Sequence, residues 1–382
     1  MSIKLLKIEE FSKEQIVQWD ALLSDDFACR LHSTYAWLYA NSKTEESGQL
    51  MAVDIDDKEQ IRAGLPFCIT KESIREHYNL KNFIEGPDIY SKIKVKTNID
   101  FTQFFPAVLI TSISGGGCDF RYHKDNSDEE NKNVLVELIK ELEKIKGIRF
   151  LYFAFVSERS KYLTSILLQL GYLKAVQGYR YFLEPMLIPE YLLGFRSNRK
   201  RKIKKEILEM NSPDVVFERK SIEEGIDDFL ELSRKNFEKY NPDTPFNYEF
   251  GKKKIIEFTE RLSEGKPFFT SLNKEGKRHA ILYSIIYDGG LYNYMLGTDY
   301  EVTNKKFPAY FILGYYYSLI ICKQEGLKFI QIYDGLDITK RSRGCKYEKL
   351  FLYYKKELMN DELRQAVERM STEKEKYFKN FE

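Results

Sequence analysis

The chain has 382 residues, of which 43% are hydrophobic and 15% aromatic, so it can bury more than one core and is not a disordered chain. Its 60 basic and 58 acidic residues nearly balance, which excludes a globally basic nucleic-acid-binding protein. Any site for a polyanion must therefore be a local cluster of charge.

Alternating helical and strand-like patterns run through the first half of the sequence. Amphipathic periodicity marks the helices, and short apolar runs bounded by turn residues mark the strands. The predicted elements are, in chain order, helix 10–23, helix 33–41, strands 49–56 and 62–70, strand 106–113, helix 131–147, strand 148–156, helix 160–172 and strand 178–186.

The second half repeats this kind of order. Turn residues at 273–276 and 288–290 divide the stretch from 266 to 299 into three strands. The predicted elements are helices 227–240 and 252–265, those three strands, the apolar helix 308–324, strands 327–335 and 346–356, and a helical tail over 357–382.

A pattern of strand, loop, long helix and strand occurs twice, over 106–156 and over 291–334. Either two α/β patterns match by chance, or the chain contains two similar domains. We favour two domains, over 1–190 and 191–360, followed by a helical tail over 361–382. Ligands then bind in the second half or between the domains.

Cysteines and histidines show no spacing typical of a metal site, and the five scattered cysteines contain no C-x-x-C pair, which favours reduced thiols. No signal-peptide pattern opens the sequence. The longest uncharged run, 307–322, is shorter than the roughly 18 residues of a membrane span. We therefore expect a cytoplasmic protein without a membrane span, a metal or a tightly bound cofactor.

The most concentrated charge lies at 196–205, which has seven basic residues and no acidic one. As a helix, the segment keeps Ile203, Ile207 and Met210 on one face, so the basic groups repel one another unless an anion offsets them. Candidate anions are CoA phosphates, a nucleotide-linked substrate and a tRNA acceptor stem. The alternative is a solvated face. The predicted substrate- or donor-binding residues here are Arg199, Lys200, Arg201 and Lys204.

A second basic element precedes the last predicted strand and contains Lys340 and Arg343. It follows a strand end, where sites of α/β folds lie, and Gly335 would let backbone approach a ligand. The alternative to a binding role is a polar turn with local ion pairs. We count Lys340, Arg343 and Gly335 as candidate binding residues.

Three segments together carry a resemblance to a known family. They are YRYFLEPM followed by FRSNRKRKIKKEILEM, LYNYMLGTDYE, and IYDGLDITKRSRGCKYEKLFLYY. With the repeated element order, they resemble the tandem GNAT-type and Fem-like peptidoglycan aminoacyltransferases, most clearly from about residue 178 to 354. The resemblance implies two GNAT-like α/β domains in tandem, with mixed sheets flanked by helices and a C-terminal helix.

The resemblance also implies transfer of an acyl or aminoacyl group from acyl-CoA or aminoacyl-tRNA to an amine. The acceptor would be a small-molecule, peptide or nucleotide-linked amine. The phosphate-cradling Q/R-x-x-G-x-G/A motif of ordinary GNAT enzymes is absent, and TNKKFPAY stands in its place, so both donors stay open. Lys305 and Lys306 in that stretch are candidate donor-binding residues. The alternative function is an inactive tandem-GNAT protein that binds a peptide or glycan.

Four further residues are candidates for proton transfer in such a reaction. Asp299 and Asp334 follow predicted strands, and a carboxylate there could accept the proton of an incoming amine. Tyr294 and Tyr347 could donate to the leaving group or the oxyanion, although each tyrosine also suits a core or a cleft wall. No covalent nucleophile is required, because the donor ester or thioester is already activated and the protein mainly aligns amine and carbonyl.

Overall fold

A computed structural model describes residues 2–42, 48–71, 80–85, 95–112, 116–240, 245–303, 307–332 and 337–379. Its strands are β1 Ser2–Lys7, β2 Leu23–Ser24, β3 Leu50–Ile55, β4 Ile61–Thr70, β5 Ala107–Ile110, β6 Arg121–Tyr122, β7 Phe150–Ser157, β8 Tyr172–Leu183, β9 Val215–Lys220, β10 Lys266–Lys274, β11 Lys277–Tyr287, β12 Gly290–Thr298, β13 Phe329–Ile332 and β14 Lys346–Lys355.

Helices separate most of these strands. They are α1 Lys13–Ala21, α2 Tyr35–Ser42, α3 Leu80–Glu85, α4 Asp128–Glu143, α5 Lys161–Gln169, α6 Ile188–Leu193, α7 Ser197–Met210, α8 Ile222–Tyr240, α9 Tyr248–Arg261, α10 Tyr300–Thr303, α11 Ala309–Phe311, α12 Ser318–Gln324, α13 Asp337–Arg341 and α14 Asp361–Lys379. A π-helical turn, Ile312–Tyr317, joins α11 to α12. Short 3₁₀ turns cover Ile8–Glu10, Phe27–Cys29, Phe101–Phe104 and Lys356–Leu358.

The chain forms two compact units. Unit 1 comprises Met1–Tyr179 and Glu348–Glu382, and unit 2 comprises Arg180–Tyr347. Strands β8 and β14 each pass from one unit into the other along the chain. The domain boundaries near residues 190 and 360 that the sequence suggested stay a prediction.

Unit 1 contains a mixed sheet in the order β1-β3-β4-β5-β7-β14. Neighbours are antiparallel except β5 and β7, which run parallel with α4 between them in the sequence. The small strand β6 pairs with β2 and with β4. Helix α4 packs on β1, β3 and β4, and α5 packs on β7.

Unit 2 repeats this order with the strands β9-β10-β11-β12-β13 and the end of β8. Only β12 and β13 are parallel, and Tyr181–Leu183 of β8 pairs antiparallel with β13. Helix α8 packs on β9 to β12, and α12 packs on β12 and β13. Both units thus have the mixed sheets and flanking helices of the predicted fold class, and α14 is the predicted C-terminal helix.

Helix α4 shows why these segments fold as they do. Ser127 and Glu130 form a reciprocal capping box, which satisfies two amides at the start of the helix. Val134, Leu138 and Leu142 recur at helical spacing and are buried. The sequence predicted this helix three residues late, because the acidic stretch before it was assigned to a loop.

The hairpins of unit 2 confirm the predicted turns. The connection from β10 to β11 places Glu275 and Gly276 at positive φ, and that from β11 to β12 does the same with Asp288 and Gly289. Two such residues in succession match the right-handed twist of the flanking strands. Three strands therefore form from 266 to 298, as predicted.

All five cysteines are buried, and no disulfide joins them. Among the described residues, no three His, Cys, Asp or Glu side chains group in a way that could hold a metal ion. No helix in the described part of the chain is long and apolar enough to cross a membrane.

Candidate functional site

Strand β12 of unit 2 has an irregularity in its middle. Along β11, Tyr283 lies opposite Met295 and Ser284 lies opposite Asn293, so Tyr294 is an extra residue in β12 and forms a bulge. Parallel pairing of β12 with β13 covers Gly290–Asn293 and stops before this bulge. A bulge bends its strand and exposes backbone polar groups, which is why bulges recur beside active sites.

Three neighbouring strands meet at this level of the sheet. Asn293 of β12 lies beside Ile332 of β13, and Ile332 lies beside Tyr181 of β8. At the usual spacing between strands, the first and third residues are about 10 Å apart. The bulge and Tyr181 therefore belong to one region, at the carboxyl ends of the parallel strands, where ligands bind in open α/β sheets.

Asn293 fixes the helix that follows β12. Its Nδ2 atom donates to the carbonyl of Gly314 at 3.1 Å and to Ser318 Oγ at 2.9 Å, and its Oδ1 atom accepts from Ser284 Oγ at 3.0 Å. Gly314 lies in the π-helical turn, whose wider hydrogen-bonding pattern leaves a carbonyl available. Sequence reasoning missed Asn293, although a lone amide inside an apolar strand was a usable signal.

Two predicted residues group around Tyr181. The ammonium of Lys340 is buried and lies 4.7 Å from the centre of the Tyr181 ring. The ring of Tyr347 lies 6.3 Å from that of Tyr181, and the Arg341 guanidinium is 4.9 Å from the Tyr347 ring. Lys340 and Tyr347 are thereby brought together near the carboxyl end of β13.

Two further predicted residues belong to β12 or follow it directly. Tyr294 is in the strand, and Asp299 is the first residue after it. Tyr294 is half-buried, with its ring edge-on to Tyr283 at 5.9 Å. Asp299 caps α10 by accepting from the amides of Glu301 and Val302, and it pairs with Lys235 at 2.8 Å. Burial raises the pKa of Asp299, but the hydrogen bonds from Lys235 and the two amides outweigh it and hold the pKa below its usual value.

Arg343 lies in a buried ion pair. Its Nη2 atom donates to both carboxylate oxygens of Glu206, at 2.6 and 2.9 Å, and its Nε donates to the Tyr316 hydroxyl at 3.0 Å. The guanidinium also lies 3.8 Å from the centre of the Phe311 ring. The backbone carbonyl of Arg343 accepts a hydrogen bond from the Tyr191 hydroxyl at 2.7 Å. These contacts favour a structural role for Arg343 over the ligand contact predicted from the sequence.

Glu206 belongs to the basic helix α7, and sequence reasoning did not assign it a role. Ile203, Glu206, Ile207 and Met210 form the buried face of α7, which confirms the predicted apolar face. An isolated acid among apolar residues on one helix face was a signal for a buried cation.

The basic side chains of α7 point away from that face. Arg199, Arg201 and Lys204 are exposed, and Lys200 is half-buried. Within the described residues, none of these four forms an ion pair or a side-chain hydrogen bond. Four other predicted site residues, Lys305, Lys306, Asp334 and Gly335, lie outside the residues that the structure describes.

At the level of sequence, no protein-family model and no curated protein matches the chain. Solved structures match it over nearly its whole length. The crystal structure of FemX aligns with a TM-score of 0.56 at 11% identity, covering 96% of this chain and 100% of that one.

Two other structures align comparably. The C-terminal domain of a protein described as a lysylphosphatidylglycerol synthetase, from Agrobacterium fabrum, gives a TM-score of 0.54 at 9% identity, covering 94% of this chain and 96% of that one. A conserved protein of unknown function from Bacteroides thetaiotaomicron gives 0.56 at 14% identity, covering 93% and 100%. The chain therefore has the fold of FemX and of the lysylphosphatidylglycerol synthetase domain, which is the Fem-like fold that the resemblance of its motifs implied.

Proposed function

We propose that unit 2 transfers an acyl or aminoacyl group from an activated donor to an amine. The observation that carries the proposal is the bulge in β12 at the point where its pairing with β13 ends, in a chain with the Fem-like fold. Beyond this point β12 no longer pairs with β13, so its backbone is proposed to bind the donor, and the buried cation of Lys340 lies at Tyr181 of β8, two strands away.

The proposed reaction is attack of a neutral amine on the carbonyl carbon of a thioester or ester. An N–C bond forms, and the C–S bond of acyl-CoA or the C–O bond of aminoacyl-tRNA breaks. The attacking nitrogen loses a proton to a carboxylate, and the departing sulfur or oxygen gains one from a hydroxyl group or water. Because the donor is activated, alignment of the two reactants supplies much of the rate.

Asp334 is the proposed proton acceptor, because it comes two residues after β13 in the sequence. Asp299 is the weaker candidate. Its pKa is held low by Lys235 and by two amides, so its carboxylate is a poorer base, and both oxygens already accept hydrogen bonds.

Tyrosine hydroxyls and basic groups would serve the donor. Tyr294 at the bulge and Tyr347 near Lys340 are proposed to donate to the oxyanion or the leaving atom. Lys305, Lys306, Lys340 and Gly335 are proposed to hold donor phosphates. The exposed basic groups of α7 have no step in this scheme.

The test is an incubation of the full chain with labelled acetyl-CoA or with aminoacyl-tRNA, each with peptide, nucleotide-linked and small-molecule amines. We expect label to reach an amine acceptor from one of the two donors. Asp334→Asn should lower turnover by about 100-fold or more, because it removes the base without changing size. Asp288→Asn, in the turn at the opposite end of β12, is the matched control and should keep full turnover.

The alternative function is a binding protein without activity, and the absent phosphate-cradling motif favours it. Thermal shifts distinguish the two. Stabilisation by CoA or a thioester, followed by label in an acceptor, supports transfer. Stabilisation by a peptide or glycan only, with no label transferred from either donor, would overturn the proposal.

A further inference from the structure

The hairpin of α6 and α7, residues 187–210, has an unusual outer surface. We propose that this basic hairpin docks unit 2 on an anionic lipid bilayer, with its lysines and arginines at the headgroups and its exposed leucines in the interface. The proposal is independent of the transfer reaction. It assigns a different anion to the basic groups of α7 from the donor or substrate phosphates that the sequence suggested.

The first argument is uncompensated charge. Seven basic residues occupy 196–205, and within the described chain none of them forms an ion pair. Elsewhere in unit 2, half-buried basic groups do pair, as Arg234 does with Glu238 and Lys252 with Asp227. Like charges one turn apart, such as Arg201 and Lys205, repel in an isolated helix and are relieved beside an anionic surface.

The second argument is exposed apolar surface within the same hairpin. Leu193 is 75% exposed and Leu208 is 71% exposed, and with Val17 they are the most exposed large hydrophobic residues of the described chain. Leu187, just before α6, is also exposed. Exposure of a leucine side chain to water is unfavourable, whereas the boundary between the headgroups and acyl chains of a bilayer can bury it.

Helical geometry places one leucine amid the charge. Leu208 lies one turn beyond Lys204 and Lys205 and two turns beyond Arg201, so all four side chains share one helix face. Opposite this face, Ile203, Ile207 and Met210 are buried. A leucine surrounded by cations on an outward face is the pattern of a helix that lies on a membrane surface.

The hairpin is also held firmly from below. Glu206 of α7 forms the buried pair with Arg343, and the Tyr191 hydroxyl of α6 donates to the Arg343 carbonyl. On α6, Leu193 is two positions from Tyr191 and therefore points to nearly the opposite side. The inner surface of the hairpin thus packs on the rest of unit 2, and Leu193 and Leu208 are exposed.

A lipid surface suits this combination better than a nucleic acid does. RNA phosphates would neutralise the basic groups, but they gain nothing from exposed leucines. Single-stranded nucleic acids are also bound through aromatic stacking, and α7 contains no aromatic side chain. A bilayer with anionic headgroups uses both the charge and the leucines.

Vesicle co-sedimentation of the full chain tests the proposal. We expect binding to vesicles of phosphatidylcholine mixed with phosphatidylglycerol, weak binding to phosphatidylcholine alone, and weaker binding at higher salt. Arg201→Gln with Lys205→Gln should weaken binding by about 10-fold or more, from the loss of two cations near the surface. Leu208→Ser should weaken it several-fold while leaving the dependence on salt unchanged, because no charge is lost.

Matched controls separate this surface from general effects. Lys253→Gln with Lys277→Gln removes two exposed lysines elsewhere in unit 2, and Val17→Ser removes an equally exposed apolar side chain from unit 1. Both variants should bind vesicles as the wild type does. Circular dichroism during heating checks that every variant folds.

Two results would overturn the proposal. One is equal binding to both kinds of vesicle, or to neither. The other is charge-dependent binding of an unacylated tRNA that is lost in the Arg201/Lys205 variant but kept in Leu208→Ser, without binding to anionic vesicles. That result would make the face a nucleic-acid surface.

Discussion

Units 1 and 2 have the same strand order but differ where their fourth and fifth strands run parallel. In unit 2 the fourth strand, β12, carries the bulge at Tyr294 and continues to Thr298. In unit 1 the irregularity falls in the fifth strand, β7, where Phe155 has a φ of 62° and its amide donates to Gln177 Oε1 at 2.6 Å. In unit 1, the buried side chain of Gln177 therefore satisfies a backbone amide at the irregular position.

The helices after the fourth strands differ as well. Helix α4 of unit 1 begins with Asp128, Glu129 and Glu130, which satisfy its positive end internally. In unit 2 the short helix α10, with Glu301 in its first turn, follows β12, and the longer helical run begins at Ala309 with no acidic residue in its first turn. The start of α4 therefore disfavours a bound anion, whereas the first turn of α11 has no acidic residue that would oppose one. One fold repeated twice need not carry the same site twice.

Spectroscopy can follow the units separately, because both tryptophans, Trp19 and Trp37, are buried in unit 1. Tryptophan fluorescence reports unfolding of unit 1, whereas far-UV circular dichroism reports both units. Comparing the two signals therefore shows which unit a substitution destabilises.

The largest effect is expected at the buried ion pair of unit 2. Glu206→Gln leaves the Arg343 guanidinium buried without a counter-charge and should lower the free energy of unfolding by about 3–5 kcal/mol. Urea unfolding followed by circular dichroism should show the loss, with a much smaller change in tryptophan fluorescence.

Two further variants serve as references for this pair. Replacing both partners, Glu206→Leu with Arg343→Met, should restore most of the lost stability, because no charge stays buried. Lys4→Gln breaks the exposed pair with Glu59 in unit 1 and should cost no more than about 1 kcal/mol. A loss as small as this for Glu206→Gln would contradict the structural role of the pair.

The two units should also respond differently to pH. In unit 1, burial raises the pKa of Asp25 to about 7 and that of Asp119 to about 6. Asp25 accepts from the amides of Tyr162 and Leu163, which only partly offset the cost of burial. Since unfolded carboxyls have a pKa of about 4, the native unit binds protons more tightly, and its stability falls as pH rises from about 4 to 7.

Within that window, each such carboxyl lowers the free energy of unfolding by about 1.4 kcal/mol for each unit by which the pH rises. Urea midpoints from tryptophan fluorescence should therefore fall between pH 5 and 7, and Asp25→Asn should flatten the fall. Asp299 of unit 2 has a lowered pKa, so its contribution is present above about pH 4 and is lost in acid. A tryptophan-detected midpoint that rises with pH would refute the assignment to Asp25.

A smaller effect is expected at two crowded glycines. A Cβ atom at Gly64 of β4 would lie 2.7 Å from the Trp19 ring, and one at Gly297 of β12 would lie 2.7 Å from Leu232 Cβ. Each change to Ala should cost about 1–3 kcal/mol through overpacking. Gly64→Ala should appear in fluorescence, and Gly297→Ala mainly in circular dichroism.

Gly314→Ala is the matched control, since nothing lies within 4 Å of the added atom. It should change stability by less than about 1 kcal/mol, and the sign should be favourable. Equal losses for all three glycines would mean that crowding is not the cause.

Local patterns predicted most elements well. The helix over α7, the three strands from β10 to β12 and the apolar helix after them all follow from periodicity and turn chemistry within their own segments. Strands β1 and β9 were missed, because β1 is mostly solvent-accessible and β9 alternates only partly, so neither has a continuous apolar run.

The candidate site was harder to predict, because its contacts join distant segments. Arg343 reaches Glu206 across 137 residues, and Lys340 reaches Tyr181 across most of unit 2. Which polar residue meets which is decided by sheet order, and periodicity does not contain that information. The bulge at Tyr294 was equally hidden, since one extra residue in a strand is seen only in its register against β11.

The order of strands in unit 1 has a consequence for how the protein is made. β14 pairs with β7 across about 200 residues of sequence, so the sheet of unit 1 lacks its sixth strand until β14 leaves the ribosome. At about 5–20 residues per second, that delay is on the order of 10–40 s. During it, one edge of the apolar strand β7 has no partner, which is when a nascent chain is most exposed to aggregation and to capture by chaperones.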